Sequence, residues 1–221
     1  RFFTSFDQNG TYIGPQFNGF ISPAESRTLN LGMNFVTQAN RLKLTMFRTS
    51  LDNEIYYFST GPWSGANTNL DKSHKYGLEL QNSHRFSTQL TTMLNYTYTR
   101  AIIDSENEGG GAYNGKDLPG VPRHGANLGI AYALSERSSL NLAHAWRSSA
   151  YAANDFANNF SQKQAPYQST DMAYRYKLKN VEYFAAVDNI FTHKNGMWVS
   201  DNVIYPLNFT RNWRIGFKAD F

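Results

Sequence analysis

Apolar and polar residues alternate with period two along most of this chain. Leu29, Leu31, Met33 and Phe35 are separated by Asn30, Gly32 and Asn34, and Leu42, Leu44 and Met46 by Lys43 and Thr45. The same rhythm runs through Tyr76, Leu78 and Leu80, through Leu90, Leu94, Tyr96 and Tyr98, and through Ala126, Leu128, Ile130, Tyr132 and Leu134. It returns in Leu140, Leu142, His144 and Trp146, in Met172, Tyr174, Tyr176 and Leu178, and in Trp213, Ile215, Phe217, Ala219 and Phe221. Such alternation is the mark of a strand with one apolar face. Residues 181–191, VEYFAAVDNIF, read as a further strand that is apolar on both faces near its middle. The pattern predicts about nine full strands, and RFFTSF at the start adds the remnant of another.

The connections alternate in length. TQAN (37–40), RFST (85–88), LSERS (134–138) and KLKN (177–180) are tight turns; between them fall long polar loops at 59–72, 104–122, 151–165 and 192–208. A soluble sandwich has no reason to gather its short turns at one end, whereas outer-membrane barrels have short periplasmic turns and longer extracellular loops. The predicted fold is all-β, a transmembrane antiparallel up-and-down β-barrel. Each unpaired backbone group in hydrocarbon costs several kcal/mol, so the wall is expected to close on itself. Tyr96, Tyr98, Tyr132, Trp146, Tyr151, Tyr174 and Tyr176 lie toward strand ends, where girdles of aromatic rings sit at the headgroup level.

Composition fits that picture. Charged residues are 17% of the 221 and aromatics 15%, fewer charges than the roughly one quarter usual in soluble domains. The mean hydropathy of -0.54 does not argue against a membrane, because a barrel strand shows lipid only one of its faces. No apolar run approaches the roughly 18 residues that a spanning helix needs. The net charge of +4 comes from scattered Lys and Arg, without the basic stripe of a nucleic-acid surface. With no cysteine, disulfides and thiolate metal sites are excluded. The chain starts inside a strand, so it is expected to be the C-terminal fragment, over all of 1–221, of a longer barrel.

A family resemblance rests on ordered segments. YGLELQ (76–81) leads into NYTYT (95–99), LPGVPRH (118–124) opens a strand, DNIF lies at 188–191, and Tyr205 to Phe221 closes with Arg211 and alternating aromatics. Together these resemble the C-terminal part of the barrel of the TonB-dependent outer-membrane receptors. The resemblance implies a barrel of about twenty-two strands, of which these are about the last ten. It further implies a plug domain outside this sequence and TonB-driven import of a scarce ligand: an iron-siderophore complex, haem, another metal chelate or cobalamin. The closing strand, with Trp213, Ile215, Phe217 and Phe221, looks like the signal read by the outer-membrane assembly machinery; Phe221 could equally anchor the lower girdle. A passive porin or a barrel-type enzyme would share the strand pattern. For an enzyme the sequence offers His124 near Asp117, with no marked nucleophile.

With the apolar set on lipid, the polar set lines the lumen. That set includes Asn34, Lys43, Glu79, Gln81, Asn95, Asn127, Asn141, Arg147, Arg175, Arg214 and Lys218. Capture of a planar or aromatic chelate favours rings with a few placed polar groups, and the loops supply Trp63, Tyr113, Tyr151, Phe156, Phe160 and Trp198. Lys116, Arg123, Lys163 and Lys194 would suit an anionic complex. None of the five histidines has the partner spacing of a metal site, although His193 and Met197 share a loop. No resident cofactor is expected. Three consecutive glycines at 109–111 predict a mobile loop.

Overall fold

The computed structural model describes residues 2–6, 12–17, 21–61, 64–107, 109–198 and 204–219, and these contain strands and no helix. The strands are β1 (Phe2–Phe6), β2 (Tyr12–Phe17), β3 (Glu25–Val36), β4 (Asn40–Gly61), β5 (Ser64–Arg85), β6 (Leu90–Ser105) and β7 (His124–Ser135). They continue as β8 (Ser138–Arg147), β9 (Tyr167–Leu178), β10 (Val181–Asp188), β11 (Gly196–Trp198), β12 (Ile204–Pro206) and β13 (Asn212–Ala219). β3 to β10 and then β13 hydrogen-bond in chain order into one nine-stranded antiparallel sheet. Every neighbouring pair is consecutive or joined over a loop. This is an up-and-down wall, open in this chain at β3 and β13.

The nine full strands match the alternating segments. RFFTSF does not add a tenth wall strand: Phe2–Phe6 pairs with Tyr12–Phe17 in a separate hairpin. The second arm of that hairpin, YIGPQF, lacks a clean alternation and carries Gly and Pro, so its pattern was weak.

Register carries one phase across the whole wall. Met33 faces Leu44, Leu44 faces Leu80, Leu80 faces Tyr96, Tyr96 faces Ala126 and Ala126 faces Trp146. A second row runs Leu94, Leu128, His144, Thr170. A third joins Tyr132, Leu140, Tyr174, Ala185 and Ile215. A slip of one residue in any strand would put its apolar set on the wrong side. Leu29, Leu31, Trp213, Ile215 and Phe217 are at least 67% exposed, so no layer among the described residues covers them. Hydrocarbon is the medium in which such a continuous patch is stable.

The opposite phase is polar over much of the wall, although one of its rows reads Ser83, Met93, Gly129, Ala143. Lys43 faces Gln81, Gln81 faces Asn95 and Asn95 faces Asn127. Two phenyl rings also stand in it, for a packing reason. Phe47 lies over Gly77 and Phe184 over Gly216, where an added Cβ would meet the rings at 2.8 and 2.6 Å. The glycines leave the space that these inward rings fill. This accounts for the doubly apolar middle of VEYFAAVDNIF.

Three of the expected long loops are more ordered than their polarity suggested. The segment 59–72 is mostly strand: β4 and β5 are each 22 residues long and pair as far as Gly61 and Ser64. A tilted crossing takes about 9 to 11 residues, so this hairpin stands well clear of the bilayer. Its sequence is polar because both its faces leave the hydrocarbon. The segment 192–208 contains the small hairpin β11–β12, with Met197 opposite Tyr205. The glycines of 109–111 sit in successive turns, in which the Gly110 amide donates to Asn107 O and the Ala112 amide to Gly109 O. Gly110 and Gly111 have φ of 63° and 85°, left-handed backbone that glycine adopts without strain.

The phase predicts opposite responses from adjacent positions of β7. Ile130→Arg places a cation among Thr92, Leu142 and the lipid, and is expected to cost about 2–4 kcal/mol of folding into bilayers. Asn127→Arg, on the polar face, is expected to cost a small part of that. Urea titration of the full-length barrel in lipid vesicles checks the difference.

Candidate functional site

At the end of the wall opposite the tight turns, the long connections pack on one another. β6 presents Ile103 and the projecting part of β5 presents Leu70; both are fully buried beneath Phe156 of the β8–β9 connection. Tyr56, Tyr113 and Leu118 close around them. The Tyr56 and Phe156 rings meet edge-on at 4.7 Å, and Tyr113 approaches Phe156 at 5.7 Å. Burying a ring of this size stabilises by about 1.5–3 kcal/mol, enough to hold two loops together above the strands.

Carboxylates and asparagines organise the backbone around that core. Buried Glu106 accepts the amides of Gly109 and Tyr113 at 2.6 and 3.2 Å. Fully buried Asp155 accepts the Asn159 amide at 2.9 Å. Asn158 then ties the two loops reciprocally: its Nδ2 donates to Asp117 O at 2.9 Å, and its Oδ1 accepts the Asp117 amide at 2.7 Å. Asn154 and Asn158 have φ of 66° and 57°, a region that Asn tolerates better than most residues. The third loop is knotted by Asn189 of the DNIF segment. Its amide donates to Asp171 at 2.7 Å, and its Nδ2 donates to His193 O and Phe209 O at 2.8 and 3.0 Å.

Charge concentrates beside the core. Arg100 Nε donates to Asp117 Oδ1 at 3.0 Å, and Arg123 donates to Asp117 Oδ2. Burial alone would raise the Asp117 pKa, but the hydrogen bonds and charges of Arg123 and Arg100 outweigh it and hold the carboxyl below its ordinary value. These residues, with His124, Ser148, Tyr151 and Lys163, line a cleft of about 280 Å³. Lys163 Nζ lies 4.3 Å from the centre of the Tyr151 ring. On the inner phase, Arg147 lies over Tyr167 at 5.8 Å, Lys75 pairs with Glu54 at 2.7 Å and Arg214 with Asp188 at 2.8 Å.

The structure thus sorts the ring and charge candidates into groups. Tyr113 and Phe156 meet inside the loop core, where Phe156 is 8% exposed. Arg123, Tyr151 and Lys163 meet on the cleft, while Phe160, Lys116 and Lys194 stand exposed. Trp198 lies in β11, and Trp63 and Phe221 fall outside the described residues. On the polar face, Glu79 stands opposite Thr45 and Thr97, Asn95 opposite Asn127, and Arg175 opposite Ser139 and Phe184. His124 and Asp117 do not orient each other: His124 Nδ1 is 2.8 Å from the Tyr96 hydroxyl, and Asp117 is taken by two guanidiniums. Sequence reasoning missed Glu106, Asp155, Asn158 and Asn189. Their signal was the density of Asn and Asp in the loops, the residues that fold turns through their own side chains.

Two outcomes are expected. Phe156→Ala should weaken closure of the loop core by about 3 kcal/mol or more, read as faster exchange of the Ile103 and Leu118 amides in a full-length barrel that still folds. Asp117 binds its proton more weakly folded than unfolded. Its link therefore contributes fully above an unfolded pKa of about 3.9 and is lost as pH falls through the lower folded value. A carbon-13 titration of the Asp117 carboxyl should give a midpoint below 3.9, moved upward by Arg123→Gln.

Known proteins share the wall. Residues 1–190 match the family model described as TonB dependent receptor-like, beta-barrel. The ferric-catecholate import receptor Fiu of E. coli K12 superposes with a TM-score of 0.72 at 19% identity, over 93% of this chain and 30% of that one. The ferric yersiniabactin uptake receptor FyuA of Yersinia pestis gives 0.71 at 21%, over 90% and 30%. The copper transporter OprC gives 0.70 at 17%, over 88% and 31%. At these identities the likeness is one of fold, and the chain spans about 30% of the length of Fiu and FyuA. The continuous lipid-facing phase, the polar inner face and the match over 1–190 lead to one conclusion: the chain belongs to the TonB-dependent receptor family and forms part of the β-barrel wall of a Gram-negative outer-membrane protein.

Proposed function

We propose that residues 1–221 are the C-terminal portion of the barrel of an active outer-membrane importer. In this reading the structured loops capture a scarce metal chelate or cobalamin-like ligand, and a plug domain coupled to the TonB complex releases it inward. The match of 1–190 to the receptor barrel family is the observation that carries the proposal. Trp213, Ile215, Phe217 and Phe221 would present the closing strand to the outer-membrane assembly machinery. No covalent step is required, and hence no catalytic residue.

The loop architecture supports capture over free passage. A passive pore gains nothing from interlocked loops, whereas a receptor needs a rim whose rings and charges keep fixed positions before ligand arrives. The inner phase adds cations beside rings, Arg147 over Tyr167 among them, which suits an anionic chelate with aromatic or planar groups. Superposable walls serve proteins named for a ferric catecholate, ferric yersiniabactin and copper. Cargo is therefore set by loop and lumen side chains, not by the wall.

Loop 151–165 is part of this rim in a specific way. Removing 152–162 would strip Phe156 from Leu70 and Ile103 and cut the Asn158 tie to Asp117, so it would disturb the 104–122 loop as well.

Uptake by cells expressing the full-length protein is the direct test. Offered a panel of labelled ferric chelates, haem and cobalamin, they should accumulate one class saturably, and loss of TonB should abolish that accumulation. Uptake that rises linearly with concentration and survives loss of TonB would instead mark a passive pore.

A further inference from the structure

We propose that the lipid-facing side of this wall carries, at its loop end, a surface that binds the phosphate groups of outer-leaflet lipids. The proposal rests on the lipid-facing phase and is independent of the cargo.

The outward phase changes character in an ordered sequence toward the loops. The row Leu31, Met46, Leu78, Tyr98 is apolar and aromatic. Two residues further out, the row reads Leu29, Arg48, Tyr76, Arg100. Beyond it stand Arg27, Ser50, His74 and Ile102. Arg48 and Arg100 flank Tyr76 on either side. Arg27 is the diagonal neighbour of Arg48 across β3 and β4, a geometry that puts side chains roughly 7–8 Å apart at the base. Long guanidinium arms from such positions can converge on a single phosphate, which they bind by paired, charge-assisted hydrogen bonds.

Charge at the two ends of the outward face is unequal. At the turn end the same phase holds Phe35, Leu42, Asn82, Tyr132, Leu140, Tyr176, Leu178, Tyr183 and Phe217, and among the described strands no Lys or Arg. The arginines gather at the end that meets the outer leaflet. Arg27 and Arg48 are exposed, and none of the ion pairs among the described residues involves them.

Acidic neighbours do not cancel it. Asp117 lies between Arg100 and Arg123, and Asp104 sits on His74 at 2.7 Å. Glu25 and Asp52, opposite each other, form a row outside Arg27 together with Lys72. Moving away from hydrocarbon, the face is therefore apolar, then aromatic and cationic, then mixed. A headgroup whose phosphates join directly onto acyl-bearing sugars meets the cations first. Basic side chains just outside the hydrocarbon are the elements that recognise anionic headgroups.

The test uses the full-length protein in detergent, titrated with bisphosphorylated lipid A, with its monophosphorylated form, and with the fully dephosphorylated glycolipid. Complexes are counted by native mass spectrometry. Binding should weaken in that order, and the double variant Arg27→Gln with Arg48→Gln should lose roughly tenfold in affinity for the bisphosphorylated lipid. A control with equal charge loss at the turn end, Arg137→Gln with Lys179→Gln, should bind as the parent does. Retained heat-shifted electrophoretic mobility verifies that each variant is folded. Equal binding of the phosphorylated and dephosphorylated lipids would overturn the proposal, as would equal losses in the two double variants. So would displacement of the lipid by inorganic phosphate at matching concentration, which would mark a free-anion site.

Discussion

Hydrocarbon cannot hydrogen-bond, and that single deficiency governs this molecule. Every strand N–H and C=O inside the bilayer must find its partner on a neighbouring strand, or else cost several kcal/mol. Nine strands meet the demand by pairing in chain order. Pairing in turn fixes register, and register fixes which side chains meet lipid. A row such as Met33, Leu44, Leu80, Tyr96, Ala126, Trp146 crosses six strands without changing face.

Outside the bilayer the constraint is released and a different chemistry takes over. The loops hold themselves with a small apolar core at Leu70, Ile103 and Phe156 and with buried polar knots at Glu106, Asp155 and Asn189. Buried polar side chains of this kind stabilise only when their hydrogen bonds are met. Here the backbone amides of the turns meet them. The rim is in consequence a folded object seated on the wall.

Much of the wall was legible in the sequence because period two survives wherever one face is apolar. Leu128, Ile130 and Tyr132 could be assigned to lipid from their spacing alone, and the tight turns at Thr37–Asn40 and Ser135–Ser138 from their residue types. What was not legible lies beyond the membrane. β4 and β5 continue as strands through polar sequence, since both faces there are free of hydrocarbon and the pattern that marks a strand disappears. Nor does spacing reveal that Phe156 would be spent on packing while Tyr151 remained on a cleft. Both are loop aromatics, and only the fold separates them. The Asn158–Asp117 tie spans 41 residues, a contact that no local pattern encodes.

Depth-resolved quenching along β7 examines the lipid-facing phase most directly. The chain has no cysteine, so a fluorophore can be placed singly at each position from 126 to 132 of the full-length protein in bilayers. Strict alternation is expected: labels at 126, 128, 130 and 132 quenched by a nitroxide on the acyl chain, and those at 127, 129 and 131 untouched by it. Uniform quenching along the strand, or quenching by aqueous iodide at the Leu128 and Ile130 positions, would contradict the assignment on which the wall, the rim and the headgroup surface all stand.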